Sequence, residues 1–114
     1  MTKIRNKVQL IGHLGRDPEL KEVGNGQKML KCAIAINDYY RDGKGEMKQK
    51  TYWHNLVAWG PTAEKMAKKL RKGSELAVEG QLVSRQFEAQ GQKKYVTEVL
   101  VDDFMRLSKE EAAL

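Results

Sequence analysis

Only one stretch of this chain carries the helical period, and it is embedded in segments that alternate. Ala63, Met66, Ala67 and Leu70 recur at i, i+3, i+4 and i+7, which is one face of an amphipathic helix. Lys65, Lys68, Lys69 and Arg71 cover its outside. Gly60-Pro61 opens the helix, because proline is accepted in the first helical turn. Gly73 is expected at its C-terminal cap. The rest of the chain must build its core from strands.

Asn6 to Leu14 alternates cleanly, with Val8, Leu10, Gly12 and Leu14 on one face and Lys7, Gln9, Ile11 and His13 on the other. Gly15-Arg16-Asp17-Pro18 stops it, since proline cannot donate to a ladder. Lys21 to Val23 reads as a short extension, and Gly24-Asn25-Gly26 as a turn. A second strand is expected over Gln27–Asn37, with Leu30, Cys32, Ile34 and Ile36 on its apolar face. Asp38 to Lys50 reads as a long polar loop, and loops of that length are often functional. A third strand runs from Thr51 to Trp59. After the helix, Leu76, Val78, Gly80 and Leu82 are expected to point inward from a fourth strand. Glu88–Gln92 reads as a flexible loop and Lys93–Leu107 as a fifth strand. Asp102 and Asp103 then fall on opposite faces, which excludes a simple paired-carboxylate acid/base. Five strands with one helix between the third and fourth is the organisation of an OB-fold, a five-stranded Greek-key barrel.

The third strand holds both tryptophans. Trp53, Asn55, Val57 and Trp59 share one face; Tyr52, His54, Leu56 and Ala58 share the other. Two indoles six residues apart stand roughly 20 Å apart at about 3.3 Å per residue. That is a long way for both to be core in a small domain, and the row suits a stacking platform for bases. Core packing is the usual fate of aromatics, and Val57 keeps that alternative open. Phe87 falls with Arg85 on the polar side of the fourth strand, where a ring beside a cation suits stacking. A bulge that reset the parity would bury it instead. Tyr40 sits beside Arg41, with Lys44, Lys48 and Lys50 further along; the alternative is a solvated loop.

A net charge of +6 among 114 residues favours a polyanionic partner. No apolar run approaches the roughly 20 residues of a membrane span, and no secretory signal is visible. Cys32 is the only cysteine, so no intramolecular disulfide or cysteine-rich zinc pattern can form, and a reducing, cytoplasmic setting is expected. His13 and His54 are the only histidines. Gly12-His13-Leu14-Gly15 lacks the pattern of a phosphate loop. No catalysis, cofactor or metal is expected.

Five segments carry a family resemblance: Asn6-Lys7-Val8 with Gly12-His13-Leu14-Gly15-Arg16-Asp17-Pro18-Glu19; Gly45-Glu46-Met47-Lys48; Trp53-His54; Leu70-Arg71-Lys72-Gly73-Ser74; and Val78-Glu79-Gly80-Gln81-Leu82. Their order and spacing resemble the bacterial single-stranded DNA-binding protein family from about Asn6 to Leu107. The resemblance implies an OB-fold that binds and protects single-stranded DNA without sequence preference in replication, repair and recombination, usually as a homotetramer, in the cytoplasm and on the nucleoid. The family's stacking aromatics fall on Tyr40, Trp53, Trp59 and Phe87, and its phosphate contacts on Lys7, Lys48, Arg71, Lys72 and Arg85. The subunit interface falls on Asn6, Val8 and His54. Residues 1–107 are the expected binding domain and 108–114 a short tail. Family members typically continue into a linker and an acidic tip ending in Pro-Phe that recruits replication and repair proteins. This sequence ends Lys109-Glu110-Glu111-Ala112-Ala113-Leu114, so such recruitment is not expected. A shortened paralogue, a mobile-element version and a trimmed chain all fit. The runner-up readings are a primosome or RNA-binding OB protein and an OB domain that binds other proteins. The first could lack the aromatics; the second would leave the Trp53/Trp59 face buried.

Overall fold

The computed structural model describes residues 3–107. A 3-10 turn, Lys3–Asn6, precedes β1 (Val8–Leu14), β2 (Glu19–Val23), β3 (Gln27–Arg41) and β4 (Met47–Trp59). Helix α1 (Gly60–Lys69), β5 (Glu75–Ala89) and β6 (Gln92–Arg106) follow. The sheet order is β1-β5-β6-β4-β3-β2, and β1 also pairs with β3. That last pairing closes β1, β3, β4, β6 and β5 into a five-stranded barrel. All of its ladders are antiparallel except β4–β6. The helix follows the third barrel strand, as expected. Because β2 is a strand of its own on the edge of β3, α1 lies between β4 and β5 in chain order. The expected tail, 108–114, lies outside the described residues.

The core is aliphatic. Leu14, Leu30, Cys32, Ile34, Leu56, Ala58, Leu76, Val78, Val99 and Val101 fill the barrel, and Ala63, Met66 and Leu70 enter the same cluster from the helix side. Each large side chain fully buried there contributes about 1.5–3 kcal/mol. Closure demands two close backbone approaches. A Cβ on Gly12 would overlap the Ala35 carbonyl, and one on Gly80 the Leu100 carbonyl. Asn6 finishes the β1–β5 ladder with its side chain: Nδ2 donates to the Leu82 carbonyl and Oδ1 accepts from the Leu82 N–H, both at 3.0 Å. An amide carries a donor and an acceptor side by side, so it substitutes for one more residue of strand.

Several expectations change. The polar segment Asp38–Lys50 is a hairpin arm: β3 and β4 stay paired out to Arg41 opposite Met47. Its turn is organised by Asp42, whose Oδ1 accepts from the N–H groups of Lys44 and Glu46. Glu88–Gln92 is likewise a tight hairpin, with Ala89 opposite Gln92. Gln90 and Gly91 both have positive φ (54° and 75°), as a two-residue type I′ turn requires. Leu82 is 49% exposed; it lies beyond Gly80, the last β5 residue paired with a β1 residue, although Val99 opposite it on β6 is in the core. Helix α1 ends earlier than expected: Leu70 is its cap, donating to the Met66 carbonyl. Gly73 instead sits in the following turn at φ 87° and donates to the Leu14 carbonyl. Asp102 and Asp103 do not take opposite faces. A bulge opposite Glu79/Gly80 absorbs Asp102, and both carboxylates are exposed.

Candidate nucleic-acid interface

The register decides which aromatics meet. In β3 and β4 the even-numbered residues Leu30, Cys32, Ile34, Leu56 and Ala58 enter the core. Trp53 and Trp59, opposite Ala35 and Met29, therefore stand on the outside. Trp53 is 59% exposed and Trp59 41%. Val57 between them is also outside the core cluster, covered between its cross-strand neighbours Lys31 and Leu100. The same outer surface continues through Leu100 of β6 to Gln81, Val83, Arg85 and Phe87 of β5. Trp53, Trp59 and Phe87 thus share one face of the β4–β6–β5 sheet.

Two contacts fix rings on this face. The indole of Trp53 lies over Gly15, where a Cβ would collide with its six-membered ring. The glycine that follows β1 is thereby part of the tryptophan's seat. Arg85 stands 6.0 Å from the centre of the Phe87 ring. Its guanidinium is forked by Glu98, Nε to Oε1 at 3.0 Å and Nη2 to Oε2 at 3.3 Å. Those hydrogen bonds first, and the carboxylate's charge second, hold the guanidinium pKa above its ordinary value.

Tyr40 does not join this face. It lies opposite Lys48, and the shared parity puts it with Tyr52, which lies opposite Ile36, on the other side of the arm. Tyr39 takes the tryptophan side. Among the expected phosphate contacts, Lys7 pairs with Glu79 at 3.1 Å, Lys48 approaches Asp42 at 3.9 Å, and Arg85 is committed to Glu98. Arg71 and Lys72 are exposed in the turn after α1. That turn is pinned by its backbone: the Arg71 N–H donates to Ser74 Oγ and the Lys72 N–H to Asp17 Oδ1. Of the expected interface residues, Asn6 is spent on Leu82, Val8 packs partly against the core and His54 is exposed. Sequence reasoning missed Glu98, which is only 6% exposed. The Gln90-Gly91 turn would have revealed it, because hairpin register follows from the turn.

Every aromatic ring but one is exposed. Tyr39, Tyr40, Tyr52, Trp53, Trp59, Phe87 and Tyr95 are all at least 39% accessible, and only Phe104 packs against the core. Among the described residues no helix is long and apolar enough to cross a membrane.

A closed five-stranded barrel with one helix, two projecting hairpin arms and an aromatic outer face is an OB-fold of the kind that binds oligomeric ligands across its strands. The single-strand binding protein family model matches residues 5–107. The chain is 37% identical to single-stranded DNA-binding protein 1 of Chlorobaculum tepidum, over 98% of this chain and 70% of that one. The structure of the Plasmodium falciparum SSB in complex with ssDNA superposes with a TM-score of 0.82 at 33% identity, covering 95% of this chain and 99% of that one. A deletion mutant of the Thermus aquaticus single-stranded DNA-binding protein gives 0.79 at 31%, covering 90% of this chain and 50% of that one. The chain belongs to the single-strand binding protein family.

Proposed function

We propose that the protein binds and protects single-stranded DNA without sequence preference during replication, repair and recombination. The observation that carries this reading is the inversion of the usual rule for aromatics. The core is aliphatic, while seven of the eight rings face solvent on a chain of net charge +6. Exposed rings accept any base, because every base has a π-face. Lysines and arginines around them neutralise phosphates and release counterions. Trp53, Trp59 and Phe87 stack bases across the outer face, Tyr40 adds a contact from the arm, and Lys7, Lys48, Arg71 and Lys72 serve the backbone, while Arg85, forked by Glu98, stands beside the Phe87 ring. No bond is made or broken. Work on single-stranded DNA implies the cytoplasm and association with the nucleoid.

The protein works as a homotetramer. Supporting this is an apolar row on the outside of β1, β5 and β6: Ile11, Ala77 and Met105 lie in register, and Ile11 and Met105 are 59% and 63% exposed. They line a hollow of about 290 Å³. Sedimentation at several concentrations tests the assembly, and a monomer throughout overturns it.

Titration with oligo-dT, followed by tryptophan fluorescence, tests the binding. Strong quenching that weakens with salt is expected, with little response to duplex DNA; single-stranded RNA is the further control. Absence of quenching and of a gel shift overturns the reading.

A further inference from the structure

The β3–β4 arm has a second aromatic face. The barrel interior ends at Ile34, which lies opposite His54. Beyond it the even-numbered residues of the two strands continue on the same side with no core to enter. A polar filling would be expected there. The arm instead carries Tyr40, 50% exposed, and Tyr52, 40% exposed, interleaved with Lys48 and Lys50. Lys50 Nζ stands 5.2 Å from the centre of the Tyr52 ring. Tyr40 lies opposite Lys48, four residues before Tyr52, so the rings are about 13 Å apart along the ribbon. A few nucleotides bridge that distance.

We propose that this face is a second stacking track for single-stranded DNA, in which Tyr52 takes a base and Lys50 the adjoining phosphate. The proposal rests on the single-strand binding reading above and extends it to the side of the arm away from Trp53. Rings alternating with ammonium groups match a chain that alternates bases with phosphates. A protein partner would meet Asp38, Lys48 and Lys50 here among Ile36 and the two rings, whereas the centre of a protein interface is depleted of charge. A strand held on both faces must bend around the arm. Single strands can do so; duplex DNA, stiff over about 150 base pairs, cannot. The arm therefore favours single strands by shape as well as by stacking.

The test uses protein labelled with 3-fluorotyrosine, whose four tyrosine resonances are assigned by single replacements such as Tyr52→Phe. Oligo-dT is titrated while tryptophan quenching is recorded in parallel. The Tyr40 and Tyr52 resonances are expected to move as quenching proceeds. Tyr52→Ala is expected to weaken binding of a long oligo-dT by about fivefold or more. Saturated quenching with an unmoved Tyr52 resonance overturns the second track and leaves the first intact. A Tyr52 resonance that moves with protein concentration alone identifies a second copy of the chain as the occupant and also overturns it. If neither signal responds to oligo-dT, the single-strand binding reading fails and this proposal with it.

Discussion

Arg85 lies beside the Phe87 ring because Glu98 holds it there. The carboxylate is 6% exposed on the outer side of β6, and both of its oxygens receive guanidinium hydrogen bonds from Arg85. An acid so close to a surface for a polyanion is costly unless it is paired, and pairing removes Arg85 from the count of free cations. Replacing Glu98→Gln releases that cation. The log–log salt dependence of oligo-dT affinity is expected to steepen by about 0.7, the increment for one further phosphate contact on a single strand. An unchanged slope would mean that Arg85 contacts phosphate despite the fork. Arg85→Ala should lower the melting temperature more than Glu98→Gln, because it leaves a buried carboxylate without its partner.

The seat of Trp53 predicts two different outcomes at neighbouring positions. Trp53→Ala removes a mostly exposed ring and should leave thermal stability nearly unchanged. It should weaken oligo-dT binding by about 1–3 kcal/mol, the range typical of base–aromatic stacking in single-strand binding proteins. Gly15→Ala leaves the indole present but displaces it, since the new methyl would occupy its position. That variant should show a shifted tryptophan emission and weakened binding together. A Trp53→Ala variant that unfolds would contradict the exposed placement.

The barrel was legible because its signal is hydrophobic alternation. Leu30, Cys32 and Ile34, or Leu76 and Val78, can face only one way, and Ala63, Met66 and Leu70 break to the helical period where the barrel needs its one helix. The arms carry no such signal. Between Asp38 and Lys50 nearly every position is polar or aromatic, so paired strands read as loop, and hydrophobic alternation does not say which sides Tyr39 and Tyr40 take. Only cross-strand register does, by putting Tyr39 with Trp53 and Tyr40 with Tyr52. The same limit applied to Asp102 and Asp103, because a bulge shifts parity without any residue type that demands it. In the tryptophan strand, Val57 leaves the indole face a claim to the core; packing resolves it in favour of Leu56 and Ala58, which are smaller than the indoles on the other face.

Barrel closure depends on Gly80. A Cβ there would overlap the Leu100 carbonyl and lie 3.1 Å from the Val101 Cα; both are backbone and cannot rotate away. Gly80→Ala should therefore cost at least the roughly 1–3 kcal/mol of an overpacked core. Thermal unfolding would register it as a lowered Tm. Gly43→Ala provides the contrast, since a Cβ there meets nothing within 4 Å; its Tm should stay near that of the parent.

Cys32 predicts the response to alkali. It lies in the barrel core at 4% exposure. Burial pushes its thiol up to about 12, against a smaller opposing pull from the charge of Arg16. An ordinary cysteine ionises near 8.5. The thiol is therefore neutral in the folded protein at pH values where it would ionise in the unfolded chain. Its contribution to stability is fully present below about pH 8.5 and is lost as pH rises towards 12. Lysines and tyrosines titrate in the same window, so the comparison is with Cys32→Ala. The difference in unfolding free energy between parent and variant should be constant up to about pH 8 and then shift against the parent as the solution becomes more alkaline. A thiol-reactive disulfide reagent should label Cys32 at pH 8 only in denaturant. Rapid labelling of the native protein would show that the barrel opens around this strand.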